Sequence, residues 1–396
     1  MKILFITTND EVPWGGSEEL WSASAVLLVG RGHRVTASVW GRDPEPVPIA
    51  NLRAKGVRLH KRHRQPILRN RFSQAWSTLL EGAPQAFRSN ELEGVELEDP
   101  EFVVFSVGYQ LCPKFVRISR ELRRRNVQYG VVVQLVREGL PISDDLCEEV
   151  RAAYNGAKRA WFVSEQNVAI MRRELADQFT NAELADNPVE LEVDTPAYPD
   201  PRSTLSIAMV GSLTPYHKGQ DLVIEVLSRP RWRERPLRVD LYGEGSAHTT
   251  LQRRIDQLGL DKVAFKGFEP DKAVIWGGHQ AALFASRMEG RSLALQEAMA
   301  HARMVISTDV GGARDLIDHG TNGFLVPYAS VEALDKVLEE AWQDRARWEA
   351  MGQAARQRIL GAIGKDPALR FAEAIESAFS GTAQPFGLGY SKNRRT

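Results

Sequence analysis

The stretch SRMEGRSLALQEAMAHARMVISTDVGG, Ser286 to Gly312, carries two carboxylates whose placement calls for a chemical reason, Glu289 and Glu297. Glu289 follows the apolar run AALFAS, at the carboxyl end of a predicted strand. Ser292 is placed to cap a helix starting at Leu293, and Glu297 then falls in the second turn of that helix. Its neighbours three and four positions away are Leu293, Ala294, Ala300 and His301, which puts it on the more apolar side, away from Gln296 and Arg303. A carboxylate in such a setting needs a donor. Ribose hydroxyls would serve Glu297, and sugar hydroxyls would serve Glu289 nearer a cleft; the plainer alternative is a solvated Glu297 and an ordinary loop acid at Glu289.

Two further junctions are built to meet an anion. In NDEVPWGGSEEL, Gly15 and Gly16 let the backbone approach a ligand at the start of a helix, whose unpaired N–H groups suit a phosphate. The same Gly-Gly also reads as a simple turn with Ser17 as N-cap, and it lacks the G-x-G-x-x-G spacing of a dinucleotide site, which disfavours NAD. In AMVGSLTPYHKGQDLVIEVL, Lys218 stands just ahead of a helix, where a cation opposes the helix dipole unless an anion lies between. A solvated loop lysine is the alternative.

The elements that must position these groups alternate in type. KILFITT, HRVTASVW, EFVVFSV, YGVVVQLV and RAWFVS read as strands, with helical stretches such as SEELWSASAVLLVGRG between them. The pattern stops near residues 187–203, where Pro188, Pro196, Pro199 and Pro201 suggest an interdomain linker. It restarts with LSIAMVG, LRVDLYG, VAFKG, AALFAS, MVISTD and GFLVP. Two parallel-sheet α/β domains in tandem are expected, with ligands at the carboxyl ends of their strands. PALRFAEAIESAF has the spacing of an amphipathic helix, followed by the tail GLGYSKNRRT.

Length and charge agree with two ordinary domains. The chain has 396 residues, with 51 Lys plus Arg against 51 Asp plus Glu, so nothing in its overall charge argues for nucleic acid. Two cysteines, Cys112 and Cys147, have no metal-ligand spacing and fit a reducing cytoplasm. No apolar run reaches the roughly 20 residues of a membrane span, so a soluble or at most peripheral protein is expected. LHKRHRQPILRNRF, Leu59 to Phe72, reads as a solvated loop or helix face, or as an acceptor-phosphate or weak peripheral membrane patch.

In order and spacing, GSLTPYHKGQDL, YGEG, FKGF, the pair Glu289 and Glu297, and VISTDVGGARDLIDHGTNGFLV resemble the retaining glycosyltransferases of family 4, which have the GT-B fold of two Rossmann-like domains facing a central cleft. The resemblance implies an N-terminal acceptor-binding domain at 1–190, a nucleotide-sugar domain at 203–365, and a C-terminal helix and tail at 366–396 packing back on the first domain. It implies transfer of a hexose-like sugar from a nucleoside-diphosphate sugar, without a metal or other cofactor. Glu297 would bind ribose, Glu289 the transferred sugar and Lys218 the diphosphate, with Glu289 and Lys218 catalytic; Gly15, Gly16, Ser212, Gly290, Arg291, Ser292 and Leu293 would complete the donor site.

Three departures accompany the resemblance. Ser212 stands where many relatives have a phosphate-binding arginine, for which Arg291 is a candidate replacement. Gly290-Arg291-Ser292 replaces Gly-aromatic-Gly. A histidine common after the fourth strand is absent from VVVQLVREG, where Gln134, Arg137 or Glu138 occupies the acceptor side together with Trp14. These departures keep two other readings open: a sugar-nucleotide-binding subunit without catalysis, and a sugar-nucleotide epimerase of the same fold.

Overall fold

A computed structural model describes residues 1–10, 14–62, 91–191, 193–200, 204–363 and 366–382. The apolar runs read as strands are strands, and they assemble into two sheets. The first has the order β3-β2-β1-β4-β5-β6-β7, from β1 (Lys2–Thr7), β2 (Arg34–Trp40), β3 (Arg58–Arg62), β4 (Phe102–Val107), β5 (Gln128–Val133), β6 (Ala160–Phe162) and β7 (Ala182–Leu184). The second has the order β10-β9-β8-β11-β12-β13, from β8 (Leu205–Val210), β9 (Leu237–Tyr242), β10 (Val263–Gly267), β11 (Ala281–Phe284), β12 (Met304–Thr308) and β13 (Gly323–Val326). All these pairings are parallel. Central strands such as β4 are buried along their whole length because helices cover both faces, which is why they read as continuous apolar runs.

Strand order reverses between β1 and β4 in the first sheet and between β8 and β11 in the second. At such a reversal the two flanking connections leave in opposite directions and open a crevice at the carboxyl ends of the strands. The segments singled out for their chemistry follow these strands: Gly15-Gly16 follows β1, Ser212 to Lys218 follows β8, and Glu289 to Leu293 follows β11.

Two strands differ from the sequence reading. β3 lies at the start of the basic stretch 59–72, read above as a loop, helix face or patch. It is an edge strand, where charged side chains are tolerated and the alternation of a half-buried strand is blurred. Residues 63–72, and with them most of the proposed membrane or phosphate patch, lie outside the described residues. β7 is a three-residue strand at the opposite edge, too short to leave a pattern.

The connection from β7 to β8 contains neither helix nor strand among its described residues. It is anchored all the same. Val189, Leu191 and Val193 pack against an apolar cluster of the second domain, and Arg303 donates to the carbonyls of Pro196 at 3.1 Å and Ala197 at 3.2 Å. The final helix, Pro367–Ser380, returns to the first sheet. Phe371 and Ile375 are fully buried there, Phe371 meets Trp161 edge-on at 5.0 Å between ring centroids, and Ser24 Oγ donates to the Ala368 carbonyl at 2.8 Å. The first domain is therefore closed by residues from the far end of the chain.

Truncating Phe371 removes an aromatic ring from that core, a change that typically costs about 3–5 kcal/mol. Phe371→Ala is expected to lower the denaturant midpoint of the first domain, read by Trp161 fluorescence, whereas Leu360→Ala on an exposed helix face leaves it nearly unchanged. Equal midpoints for the two variants would contradict the role given to the last helix.

Candidate functional site

The loop after β11 is the centre of the cleft, and its path is set by glycines. Gly312 N donates to the Gly290 carbonyl at 2.9 Å, and a Cβ on Gly311, whose φ is +59°, would collide with the carbonyls of Glu289 and Gly290. From the other side a Cβ on Gly290 would overlap the carbonyl oxygen of Gln134 in the first domain. Gly290 is thus the point where three backbone segments meet, and a side chain there would force the domains apart. A second interdomain approach lies at Gly16, where a Cβ would come within 2.7 Å of Leu293 Cδ1. The two helix starts that face the cleft therefore lie against each other.

Ser292 caps the helix Leu293–Ala300, accepting from Leu295 N at 3.3 Å. The first helix differs from the sequence reading: it spans Gly16–Gly30 with Gly15, not Ser17, at its N-cap and no side-chain cap. Ser17 donates instead to Glu18 at 3.1 Å. Glu18, which the sequence reading passed over, is buried and takes further bonds from Thr7 at 2.9 Å and Trp21 Nε1 at 2.7 Å. Burial pushes its carboxyl above the usual range against the effect of those bonds.

Lys218 ends a short helical turn, Pro215–Lys218, and its Nζ donates to Glu289 Oε1 at 2.7 Å. Ser286 Oγ donates to the same oxygen at 2.8 Å, and His217 Nε2 lies 3.9 Å from the other. Burial would raise the Glu289 carboxyl, but the adjacent Lys218 and His217 outweigh it and hold the group below the usual carboxylate range. Burial and the Lys218 charge push the His217 imidazole below its ordinary value, and Arg137 of the first domain adds to that push. His217 was missed because nothing in its spacing separates it from an ordinary neighbour of Lys218. Ser212 is exposed, with its hydroxyl 3.3 Å from that of Thr214.

Glu297 has a cation partner, Lys272, at 3.6 Å. Burial raises its carboxyl above the usual range, against Lys272 and with a contribution from Glu19 of the first domain. The expected sidedness of its helix needs correction. Gln296 and Arg303 are the buried residues and Glu297 the more accessible one. Gln296 Nε2 donates to the Ser292 carbonyl at 3.2 Å, and Arg303 donates to the Trp276 carbonyl at 2.6 Å, so the donors of both are carried inward by backbone acceptors that helical spacing cannot reveal.

Arg291 does not stand in the open cleft. Its side chain is 2% exposed, bonded to Asp186 at 2.8 Å and to Asp315 at 3.1 Å. Asp186 also accepts from Arg370 of the last helix at 2.9 Å. The loop after β11, the interdomain connection, the helix Ala313–Leu316 and the C-terminal helix thus meet in one buried ionic junction.

On the first-domain side, Gln134 is buried beneath Gly290 and accepts from Asn187 Nδ2 at 2.9 Å. Arg137 lies over the Tyr109 ring at 4.8 Å, and its backbone is held by the Gln110 side chain, with Gln110 Oε1 accepting from its N–H at 2.9 Å. Glu138 is turned outward to Arg173. Trp14 donates to Glu19 at 2.6 Å and packs against Trp21, a buried core residue, with ring centroids 6.3 Å apart.

Removing one partner from a buried ion pair leaves an uncompensated charge and typically costs about 3–5 kcal/mol. Arg291→Met is therefore expected to lower the melting temperature clearly, by an amount that Ser212→Arg at an exposed position does not approach. A solvent-facing phosphate ligand would behave in the opposite way, with stability unchanged on its loss. Thermal unfolding of the two variants beside wild type separates the cases.

Comparison with known proteins places this geometry. Residues 197–358 match the family described as glycosyl transferases group 1. A UDP-N-acetylglucosamine–peptide N-acetylglucosaminyltransferase GtfA subunit from Streptococcus gordonii is 32% identical over 149 residues, and the alignment spans 37% of this chain but only 29% of that protein's length. Among solved structures, Anabaena Alr3699/HepE in complex with UDP-glucose superposes with a TM-score of 0.71 over 96% of this chain and 100% of that one, at 17% identity. Sucrose-phosphate synthase from Thermosynechococcus elongatus gives 0.74 over 96% and 100%, at 18% identity. Residues 197–358 therefore resemble the glycosyl transferases group 1 family, in a chain whose two parallel-sheet domains have the GT-B fold.

Proposed function

We propose that this protein transfers a hexose-like sugar from a nucleoside-diphosphate sugar, with retention of anomeric configuration and without a metal, to an acceptor held by the first domain. One observation carries the reading: Lys218, Glu289 and the helix start at Leu293 gather at the reversal of the second sheet, while Gly16 and Gln134 approach them from the first. That convergence gives one ligand access to cations, carboxylates and helix N–H groups from both domains. UDP is the first nucleotide to test, since the Anabaena protein of like fold was solved with UDP-glucose.

In this reading Glu297 accepts from the ribose hydroxyls, Glu289 from the sugar, and Lys218 donates to the diphosphate. The anomeric C–O bond to the diphosphate breaks, the electron pair leaves with the nucleoside diphosphate, and an acceptor hydroxyl oxygen bonds to the anomeric carbon as its proton is released. Lys218 and the N–H groups at the helix starts stabilise the charge that develops on the leaving phosphate. The shared bond between Lys218 and Glu289 fixes both groups before the donor arrives, and such preorganisation is where catalytic electrostatics gains most. His217, whose imidazole is pushed below its ordinary value by burial and by the Lys218 charge, lies beside the same carboxylate. A cytoplasmic location accords with a nucleotide-sugar donor; no helix among the described residues is long and apolar enough to cross a membrane. The binding-only subunit gains a specific argument from Arg291, whose burial leaves Lys218 without an arginine beside it to replace the one missing at Ser212.

Loss of a preorganised donor to a developing oxyanion costs about a hundredfold or more in rate. Lys218→Ala is expected to reduce UDP-sugar turnover by that factor, measured as donor hydrolysis and as transfer across an acceptor panel. A wild type that binds donor yet neither hydrolyses nor transfers it would favour the binding subunit. Glu297→Ala should weaken UDP binding by about tenfold or more, the size of one lost bond to a charged acceptor. Because the folded carboxyl titrates above the usual range, and only the carboxylate accepts from both hydroxyls, UDP affinity should fall as pH drops through that raised value. Calorimetric titration of wild type and Glu297→Gln checks the sign: the variant should lose this dependence, and an identical pH profile in both would remove Glu297 from the ribose site.

A further inference from the structure

Arg137 is a cation of the cleft that makes no ion pair among the described residues. It stands on the loop after β5, three residues beyond Gln134, whose carbonyl oxygen lies against Gly290 of the second domain. Its backbone is held by one buried amide: Gln110 Oε1 accepts from the Arg137 N–H at 2.9 Å, and Gln110 Nε2 donates to the Arg137 carbonyl at 2.6 Å. Tyr154 Oη donates to the Gln110 carbonyl at 2.9 Å and ties this clamp to the core. The half-buried guanidinium lies over the Tyr109 ring, with Cζ 4.8 Å from its centroid, and its Nε is buried without a hydrogen-bond partner among the described residues. The carboxylates around the loop are engaged elsewhere, Glu138 with Arg173 and Glu174 with the Gly139 N–H.

An unmade hydrogen bond at a buried donor costs stability, yet the fold fixes this residue with a dedicated clamp. The second domain has no arginine to offer at the same place. Arg287 is paired with Asp221 at 2.7 and 2.8 Å, Arg314 with Asp309 at 2.8 Å, and Arg291 with Asp186 and Asp315, while Ser212 is exposed and uncharged. Across the cleft Arg137 looks toward the turn Pro215–Lys218. Burial is the main cause of the depressed His217 imidazole, Lys218 comes next, and the Arg137 charge adds to it from the other domain. Cations brought toward one another from two domains repel unless an anion lies between them.

We infer that Arg137 is the cation the first domain supplies to the donor's diphosphate, in place of the arginine absent at Ser212. This rests on the glycosyl transfer reading above. The planar guanidinium donates N–H groups to oxygens of the phosphate distal to the nucleoside, with Lys218 on the other side of it. As the anomeric C–O bond breaks, its electron pair becomes charge on that phosphate. Arg137 stabilises the charge through those bonds and, staying protonated, transfers no proton. The Gln110 clamp and the Tyr109 ring order the residue before the donor arrives, so little freedom is lost on binding. Arg137, read from the sequence as an acceptor-side residue, thereby belongs to the donor site.

The full chain is titrated calorimetrically with UDP, GDP, ADP and dTDP. The diphosphate that binds most tightly is then compared with its monophosphate in wild type, Arg137→Gln and Arg137→Lys. Both substitutions keep the Gln110 clamp, which holds only backbone atoms of residue 137, and far-UV circular dichroism checks that each variant is folded. The expected result is a loss of about tenfold or more in diphosphate affinity for Arg137→Gln, a smaller loss for Arg137→Lys, and less than about a threefold change for the monophosphate in either. Unchanged diphosphate affinity in Arg137→Gln overturns the inference, and if transfer then falls through a raised acceptor KM alone, the anion belongs to the acceptor. Equal losses for diphosphate and monophosphate overturn it too, since they mark a general effect on the cleft. A wild type that binds none of the four diphosphates sinks the donor reading itself, whereas wild-type binding left intact by Arg137→Gln sinks only the role of Arg137.

Discussion

A guanidinium with almost no access to water needs carboxylates around it, and Arg291 takes them from Asp186 and Asp315. The desolvation of all three groups is offset only while they stay together, so the loop after β11, the interdomain connection and the second domain's helix Ala313–Leu316 are held in one geometry. Arg370 extends the junction to the C-terminal helix through Asp186. The loop that carries Glu289 is thereby referenced to the seam between the domains rather than to its own sheet alone. Such a junction stabilises little relative to an apolar one, but it tolerates few alternatives, which is what a loop presenting a carboxylate to a ligand requires.

The rest of the cleft follows from contacts that exclude side chains. Gly16, Gly290 and Gly311 each occupy a place where backbone or side-chain atoms of another segment already stand. Gly290 against Gln134 and Gly16 against Leu293 bring the two domains to within the thickness of a backbone, so groups from both sheets reach a common volume. Lys218 and Glu289 then face each other at 2.7 Å from connections of neighbouring strands, β8 and β11. Parallel neighbours of reversed winding deliver their carboxyl ends to the same crevice, and this is the physical origin of the site.

Much of this was legible in the chain. Strands buried on both faces produce unbroken β-branched runs, and these run from Lys2 to Val326 with helices between them, so both sheets were readable from local pattern. The cap at Ser292 and the helix start at Leu293 were readable too, because capping is a local hydrogen bond. The spacing of Glu289 and Glu297 carried the family resemblance, to which the match over residues 197–358 corresponds. Less visible were β3 and β7, edge strands whose charge or shortness hides the alternation. Gln296 and Arg303 were read as a polar side, yet both are buried on backbone carbonyls, since a helical wheel records polarity but not available acceptors.

The amino-acid sequence by itself determined the two α/β units, the break between them, and the loops on which the candidate donor groups sit, because each depends on interactions within a few residues of chain. Only the tertiary structure decided which charges are spent on one another. Lys218 meets Glu289, Lys272 meets Glu297, and Arg291 is enclosed by Asp186 and Asp315, partners that lie from 24 to 105 residues apart in the chain. Arginine and aspartate look alike in a sequence whether they meet solvent, a ligand or each other. What distinguishes them is the desolvation imposed by neighbouring segments, a property of the packed molecule that spacing along the chain does not encode.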